Sequence, residues 1–206
     1  MTPAPRVARL GGWLFRQRTW LPVPLAAALI IIPATSAARS APFWIAGLTL
    51  VAAGEALRLW SVHHIGAISR TRSHRLGPLI AAGPFALVRN PLYIGNIALW
   101  AGFAVTAQLL WLTPAIVLVL ALEYHAIVRW EEELLAARLG DAYRDYAGRV
   151  RRWMPGPSGP AARSMSSPGP DSATFSWRET LFSERGTLIA IAAGIVVLLL
   201  KMQIAQ

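Results

Sequence analysis

Five apolar runs, separated by polar segments, dominate the hydropathy pattern of this 206-residue chain. They lie at about residues 21–36, 43–60, 91–108, 114–128 and 187–200, and Met202 and Ile204 extend the last of them. A helix needs about 20 apolar residues to cross the hydrocarbon core of a bilayer. The pattern therefore predicts an all-α, integral-membrane helical bundle of about five transmembrane helices.

Local signals place several boundaries of these helices. Asn90-Pro91 is a strong helix start, because asparagine is a favoured N-cap and proline a favoured first helical residue. Apolar residues recur at helical spacing between Trp130 and Pro155, which predicts an amphipathic helix lying over the membrane interface, with a bend at Gly140. Residues 156–177 are rich in Pro, Gly and Ser and predict a flexible linker.

These elements divide the chain into three parts and give it an orientation. Residues 1–155 are predicted to form the functional membrane domain, 156–177 the linker and 178–206 a C-terminal hydrophobic helix. With the N-terminus in the cytoplasm, five spans place every Lys and Arg on the inner side except Arg39 and Lys201. We therefore expect a protein of the cytoplasmic membrane whose polar segments 61–90 and 129–185 face the cytoplasm.

Composition supports the membrane class. The chain is 55% apolar and only 15% charged, with a mean hydropathy of +0.45 and a net charge of +10. The basic residues flank the apolar runs, as suits contact with anionic membrane lipids, so we expect no nucleic-acid partner. Cysteine is absent, which excludes disulfides, thiolate metal sites and cysteine nucleophiles.

The first polar segment contains three histidines, but their spacing does not favour a metal site. His63 and His64 are adjacent and point about 100° apart on a helix, and no acid-rich spacing supports them or His74. We expect no metal, and headgroup or phosphate contacts by the arginines instead. Glu55 lies inside the second apolar run, where its pairing with Arg58 is slightly more plausible than a ligand role.

The apolar hairpin between residues 91 and 128 returns two polar stretches to one membrane face, and we interpret their meeting point as the active site. Arg89 could hold a carboxylate in a bidentate contact, and the amides that open the helix at Asn90 could hold another polar edge. Glu131 and Glu132 supply acceptors for hydroxyl or ammonium groups. The residues alone favour a solvated helix face for these acids over a ligand site.

Two motifs favour a ligand site for these acids instead. The chain reads Gly83-Pro84-Phe85, then Arg89-Asn90-Pro91-Leu92-Tyr93-Ile94-Gly95. Glu131-Glu132 follow, with Leu135, Leu139-Gly140, Tyr143 and Tyr146, before a basic tail that ends at Pro155. Over residues 54–155 this arrangement resembles the isoprenylcysteine carboxyl methyltransferase and phospholipid methyltransferase superfamily of integral-membrane enzymes. Its members carry Tyr where this chain has Phe85 and His where it has Asn90.

The resemblance implies transfer of a methyl group from S-adenosylmethionine to a lipid-like or isoprenoid-linked acceptor. It implies a cytoplasmic-face cofactor pocket formed by Leu79, Ile80, Phe85, Arg89, Asn90, Pro91, Leu92, Tyr93, Glu131 and Glu132. Arg129 is the candidate for holding a carboxylate acceptor. For an amine acceptor, which must be neutral to attack, Glu123 or His125 could take the proton.

Other hypotheses stay open at this stage. A non-enzymatic membrane scaffold or lipid-binding protein could retain the same fold without binding the cofactor. A transporter is disfavoured because no inverted repeat is visible, and a soluble-type methyltransferase because no strand precedes a glycine-rich turn. The acceptor could be a phospholipid amine, a quinone-like or isoprenoid lipid or a small hydrophobic acid, and the sequence leaves the oligomeric state open.

Overall fold

The computed structural model describes residues 6–18, 20–34, 41–66, 79–156 and 176–204. Seven α-helices lie within these ranges: α1 (Arg6–Gln17), α2 (Pro22–Ile31), α3 (Ala41–Ile65), α4 (Pro91–Thr106), α5 (Thr113–Leu139), α6 (Asp141–Arg149) and α7 (Trp177–Ile204). A 3-10 turn, Gly83–Ala86, precedes α4. The prediction of an all-α membrane bundle is confirmed for the described residues.

Three helices, α3, α5 and α7, are long and apolar enough to cross a membrane by length and composition. The apolar helices α2 and α4 are shorter, with 10 and 16 residues. Each predicted apolar run thus contains a helix, while the count of five spans stays a prediction. Much of the predicted linker and of the basic loop, including Arg70, Arg72, His74 and Arg75, lies outside the described residues.

Helices α3 and α4 form the closest-packed pair, and glycine makes their approach possible. A Cβ built on Gly54 would lie 2.7 Å from the Gly95 carbonyl oxygen, and one built on Gly95 would lie 2.7 Å from that of Gly54. Gly47 and Gly102 face each other in the same way one level along the pair. Small residues let helix backbones come this close in membranes, where dispersion replaces the hydrophobic effect as the driving force.

The N-terminal segment, for which no helix was predicted, forms α1 and packs along α5. Its contact face is also made of glycine: a Cβ on Gly11 would overlap the carbonyl of Ala126, and Gly12 lies against the indole of Trp130. The ring of Phe15 packs on Trp130 with centroids 4.9 Å apart. This packing carries the end of α1 towards the polar half of α5.

Two predicted details of α4 and α5 are corrected. Helix α4 begins at Pro91 as expected, but the side chain of Asn90 makes no capping hydrogen bond. The span predicted to end near residue 128 and the interfacial helix predicted from Trp130 are not separate, because α5 continues to Leu139 without interruption. The change from apolar to charged residues occurs within one helix. Gly140, with φ +57°, then separates α5 from α6, which confirms the predicted bend.

Helix α7 packs against α2 and α3, and hydrogen bonds from the half-buried Lys201 hold its far end to α2. Lys201 Nζ donates hydrogen bonds to the carbonyl oxygens of Leu29, at 2.7 Å, and Ile32, at 2.5 Å. These groups belong to the last turn of α2 and to its C-cap position, where helix carbonyls lack internal partners. The cation therefore stabilises the end of α2 and fixes it to α7.

Candidate functional site

One large cavity, of about 1290 Å³, opens between the ends of α1, α2 and α3, the loop before α4, and helices α4 to α7. Every predicted cofactor residue lines it except Pro91, which is buried at the start of α4. The other nine are Leu79, Ile80, Phe85, Arg89, Asn90, Leu92, Tyr93, Glu131 and Glu132. The structure thus brings together the two stretches that the sequence analysis paired.

Glu132 is held between two arginines in the charged part of the cavity. Arg152 makes a bidentate contact with it, Nε to Oε1 at 2.9 Å and Nη2 to Oε2 at 2.7 Å. Arg89 Nη1 lies 2.9 Å from Oε1. These three side chains, which we call the Glu132 cluster, join the loop before α4 and the segment after α6 to α5. Because both of its oxygens accept from guanidinium groups, Glu132 holds the site together.

Backbone contacts reinforce the same junction. The amide of Arg89 donates to the carbonyl of Arg151 at 2.9 Å, and Asn90 Nδ2 donates to that of Arg152 at 3.2 Å. The hydroxyl of Tyr146 donates to the carbonyl of Phe85 at 2.8 Å. Asn90 therefore connects the start of α4 to the segment after α6.

Glu131, one residue before Glu132, has a different environment. Its Oε1 accepts a hydrogen bond of 2.9 Å from the hydroxyl of Tyr93 on α4. The Tyr93 ring stacks on Tyr124 of α5 at 4.7 Å between centroids. In contrast to Glu132, Glu131 makes no ion pair among the described residues, so its carboxylate oxygens are hydrogen-bond acceptors that face the cavity.

The tyrosines of α6 line the same charged part and stay protonated. Burial raises the pKa of the Tyr143 hydroxyl, and the Glu132 carboxylate raises it further. Burial likewise raises the pKa of Tyr146. The pKa of the Arg152 guanidinium is raised chiefly by its hydrogen bonds to Glu132. At neutral pH the site therefore presents phenol donors and permanently charged arginines.

A second ion cluster lies on the cavity wall between α3, α4 and α7. Arg58 Nε contacts Glu55 Oε2 at 3.0 Å, which confirms the predicted pair, and Nη2 contacts Glu184 Oε2 at 2.6 Å and Thr187 Oγ1 at 3.2 Å. Arg58 Nη1 also donates to Asn96 Oδ1. We call Arg58, Glu55 and Glu184 the Arg58 cluster. Their side chains are only 12%, 8% and 7% exposed.

The three residues predicted for acceptor chemistry do not line this cavity. Tyr124, Ile127 and Glu131 of α5 do so, at helical spacings of three and four. Glu123 and His125 lie about 100° to either side of Tyr124, and Arg129 is likewise turned away from the lining face. His125 is exposed and the other two are half-buried. Their predicted roles stay predictions.

Sequence reasoning missed several polar residues that do line the cavity: Arg16, Arg18, Arg58, Asn96, Tyr143, Tyr146 and Glu184. Arg16 and Arg18 reach it because α1 packs on α5. Glu184 reaches the cavity because α7 begins before the apolar run from which this helix was predicted. The sequence signal that could have indicated Glu184 was its position in a charged turn directly before an apolar run. Among the described residues, no group of three His, Asp or Glu side chains is placed to hold a metal ion.

Comparison with known proteins gives one family match. Residues 43–142 match the model of the family described as phospholipid methyltransferase. Over this segment, a little under half of its length, the chain is similar to that family, which is part of the integral-membrane methyltransferase superfamily. The match begins at α3 and ends at the first turn of α6, so that α1, α2 and α7 lie outside it.

Two curated relatives match 109 residues of the chain at 29% identity. They are the nickel-cobalt-cadmium resistance protein NccN of Alcaligenes xylosoxydans xylosoxydans and the cobalt-zinc-cadmium resistance protein CzcN of Cupriavidus metallidurans. The match covers 53% of this chain and 46% of each relative. The chain thus spans about half the length of the curated relatives it matches. No solved structure matches it significantly.

Proposed function

We propose that this integral-membrane protein is a methyltransferase that uses S-adenosylmethionine and methylates a lipid-like acceptor with a hydrocarbon tail. One observation carries the proposal. A single cavity joins the charged part around Glu131 and Glu132 to an apolar part lined by α2, α4 and α7. A polar cofactor and an apolar acceptor could therefore meet inside one site, as the similarity of residues 43–142 to the phospholipid methyltransferase family also supports.

The charged part offers a complement for each portion of the cofactor. Arg89 has a buried Nε with no hydrogen-bond partner among the described residues, and it fits the carboxylate of the methionyl group. Glu131 offers acceptors for ribose hydroxyls or the ammonium group. The rings of Phe85 and Tyr93 line the same region and fit an adenine base. The residues present therefore fit the cofactor.

S-adenosylmethionine supplies an electrophilic methyl group on a sulfonium centre. The protein's own contribution would be positioning and exclusion of water, which matter most in such a displacement. The Glu132 cluster would fix the loop before α4 against α5, and Tyr93 would orient the Glu131 carboxylate. The enclosing apolar residues would keep the reacting groups dry. The proposal covers carboxylate and amine acceptors alike.

We also propose that the charged part faces the cytoplasm. The N-terminal arginines and the basic residues of segment 61–90 would then lie on the inner side of the membrane. The soluble cofactor would enter from that side, and the acceptor would enter from the bilayer.

The test is binding of S-adenosylmethionine and S-adenosylhomocysteine to the detergent-purified full-length protein, with Glu131→Gln as the site variant. The change keeps the shape of the side chain and removes its charge, so we expect about a tenfold loss of affinity, in line with the loss of one charge-assisted hydrogen bond. Glu133→Gln is the matched control, because it removes the same charge from the same helix away from the cavity lining. It should bind as wild type does.

Absence of binding by well-folded wild-type protein would remove the enzyme hypothesis and favour a membrane scaffold or lipid-binding role. Equal losses in the two variants would show that the charge of α5, and not the cavity, governs binding. Incubation with the labelled cofactor and native membrane lipids then identifies the acceptor by mass spectrometry.

A further inference from the structure

The apolar half of the cavity is built largely by helices that lie outside the matched family segment. Helix α2 contributes Ala26, Leu29 and Ile30, and α7 contributes residues from Gly186 to Leu198. Helix α4 supplies the wall between them. We call this half the tail compartment. Two of its three walls, α2 and α7, thus lie outside the segment that matches the family.

The inward face of α7 is formed largely by small residues. Ala190, Ala193 and Gly194 line the cavity, whereas large apolar residues such as Ile189, Val196 and Leu199 are exposed on other faces of the same helix. In a helix that packed directly on its neighbours, small residues would bring the backbones together. Here Ala190 and Ala193 border the cavity and Gly194 lies against the ring of Phe103, so side chains this small leave the compartment wide.

The two ends of the compartment differ chemically. At one end, Glu184 and Thr187 of α7 hold the guanidinium of Arg58, so the wall there is polar. At the other end lie Leu29 and Leu198, and beyond them Lys201 fastens α7 to α2. From Thr187 to Leu198 the helix rises by about 17 Å. The apolar volume therefore has a polar entrance and an end tied by a hydrogen-bonded lysine.

We propose that the tail compartment binds the single hydrocarbon tail of the methyl acceptor, and that its tied end at Lys201 selects tail length. The proposal rests on the proposed function for the identity of the ligand as acceptor. The tail's polar head would lie beside Thr187 and Arg58, next to the charged part of the cavity. Its methyl end would lie between Leu29 and Leu198.

The occupant is a single apolar chain, because the walls provide only apolar contacts. The lining side chains between Ala190 and Leu198 are all apolar, and so are Leu29 and Ile30 opposite them. A tail that enters from the bilayer exchanges lipid contacts for contacts with these side chains, so each methylene group gains packing attraction until the tail reaches the end. Further carbons would then require displacement of packed side chains, which is unfavourable. This contrast is the physical basis of length selection.

The experiment uses full-length protein in lipid nanodiscs and hexadecanol with a photoreactive diazirine on its last carbon. Cross-linked residues are mapped by mass spectrometry in the absence of cofactor. We expect labels near Leu29 and Leu198. Labelling confined to Ile189, Val196 and Leu199 would show that the probe sits in the surrounding bilayer and would overturn the proposal.

Two matched pairs of variants test the length selection by competition with unlabelled alcohols from decanol to octadecanol. Val197→Phe narrows the far end and should shift the best competitor to a shorter chain, with hexadecanol weakened about fivefold or more. Val196→Phe makes the same change on the exposed neighbouring position and should leave the order of competitors unchanged. Ala190→Leu, in the cavity lining near the polar entrance, should weaken all lengths, whereas Ala192→Leu, which lies outside the lining, should not.

Equal effects in either pair, or competition that rises steadily with chain length in wild type, would overturn length selection by this compartment. Failure of this proposal is distinguishable from failure of the proposed function, because labelling needs no cofactor. A protein that binds S-adenosylmethionine but labels only outside the compartment retains the function and loses this inference. The reverse result retains the compartment and loses the enzyme.

Discussion

The two ion clusters of the cavity are built with opposite charge patterns. In the Glu132 cluster, one carboxylate is held by two guanidinium groups, from Arg89 and Arg152. In the Arg58 cluster, one guanidinium is held by the carboxylates of Glu55 and Glu184. Both clusters are largely buried, and two members of each line the same cavity: Arg89 and Glu132 in one, Arg58 and Glu184 in the other. They differ in what they join and therefore in what their loss should change.

The Glu132 cluster joins non-helical segments to a helix. Arg89 belongs to the loop before α4, and Arg152 to the segment after α6. Neither segment has a helix ladder to fix it, so its position depends on these ion pairs and on the neighbouring backbone contacts. The cluster therefore sets the shape of the charged part of the cavity, where the cofactor would bind.

The Arg58 cluster joins helices to one another through buried charges. It connects α3 and α4, which belong to the matched family segment, to α7, which does not. Buried charges lose hydration, and they are tolerated inside a membrane bundle only when they are paired. This cluster therefore fixes where α7 docks, and removing one member should affect the stability of the fold more than cofactor affinity.

The largest effect is expected for Arg58→Met. The change keeps the apolar stem but leaves Glu55 and Glu184 buried without the guanidinium that they share. Removing one partner of a buried pair costs about 3–5 kcal/mol, because the remaining charge is uncompensated. We expect a clearly lower midpoint of thermal unfolding in detergent, measured by near-ultraviolet circular dichroism.

The control for this prediction is Arg144→Met, which breaks an exposed pair of Arg144 with Asp141. Exposed pairs contribute about 0–1 kcal/mol, so its midpoint should match wild type. Combining Arg58→Met with Glu55→Gln and Glu184→Gln should restore part of the lost stability. If Arg58→Met unfolds at the wild-type midpoint, the cluster does not fix α7.

A smaller effect, on binding and not on folding, is expected for Arg152→Met. Loss of this side chain removes the bidentate contact to Glu132 and frees the segment after α6 from α5. We expect affinity for S-adenosylhomocysteine to fall about tenfold, equivalent to ~1.4 kcal/mol, with a near-normal unfolding midpoint. Isothermal titration calorimetry measures the first and circular dichroism the second.

Arg151→Met is the matched neighbour. The Arg151 side chain is exposed, and the contact it makes with Arg89 uses only its backbone carbonyl, which the variant retains. Its affinity should therefore stay within about twofold of wild type, as expected for a surface change. A tenfold loss in both variants would trace the effect to the net charge of the basic tail.

The comparison of the two clusters also shows which contacts can be predicted from the sequence. The pairing of Glu55 with Arg58 was predicted because the two lie three residues apart, and helix geometry alone brings such positions together. The pairings of Arg58 with Glu184 and of Arg152 with Glu132 were not, because they depend on how separate elements pack. The sequence contains many arginines, and the local pattern does not indicate which of them pairs with a given acid.

Helix type and position were predictable for a related reason. Apolar runs and the pairs Asn90-Pro91 and Leu139-Gly140 act locally, so the helices and the bend were found. The packing of α1 on α5 was not, because glycines that face Ala126 and Trp130 resemble any other glycines until the partner helix is known. For the same reason Arg129 was chosen from its place beside Glu131, although it lies on another face of α5.

The smallest effect is expected for Tyr93→Phe, which separates the positioning of Glu131 from the Glu132 cluster. The variant keeps the ring that stacks on Tyr124 and loses only the hydroxyl that donates to Glu131. One hydrogen bond to a charged group contributes about 1.5–3 kcal/mol when its loss leaves the acceptor buried, and less when water replaces it. Because Glu131 lines an open cavity where water can replace the hydroxyl, we expect a loss below that range, about 0.5–1 kcal/mol or a two- to fivefold loss of S-adenosylhomocysteine affinity. In the Glu131→Gln background the same change should have little further effect, since the charge that the hydroxyl serves is already absent. Additive losses in a titration of the double variant would show that Tyr93 acts on the ligand directly and not through Glu131.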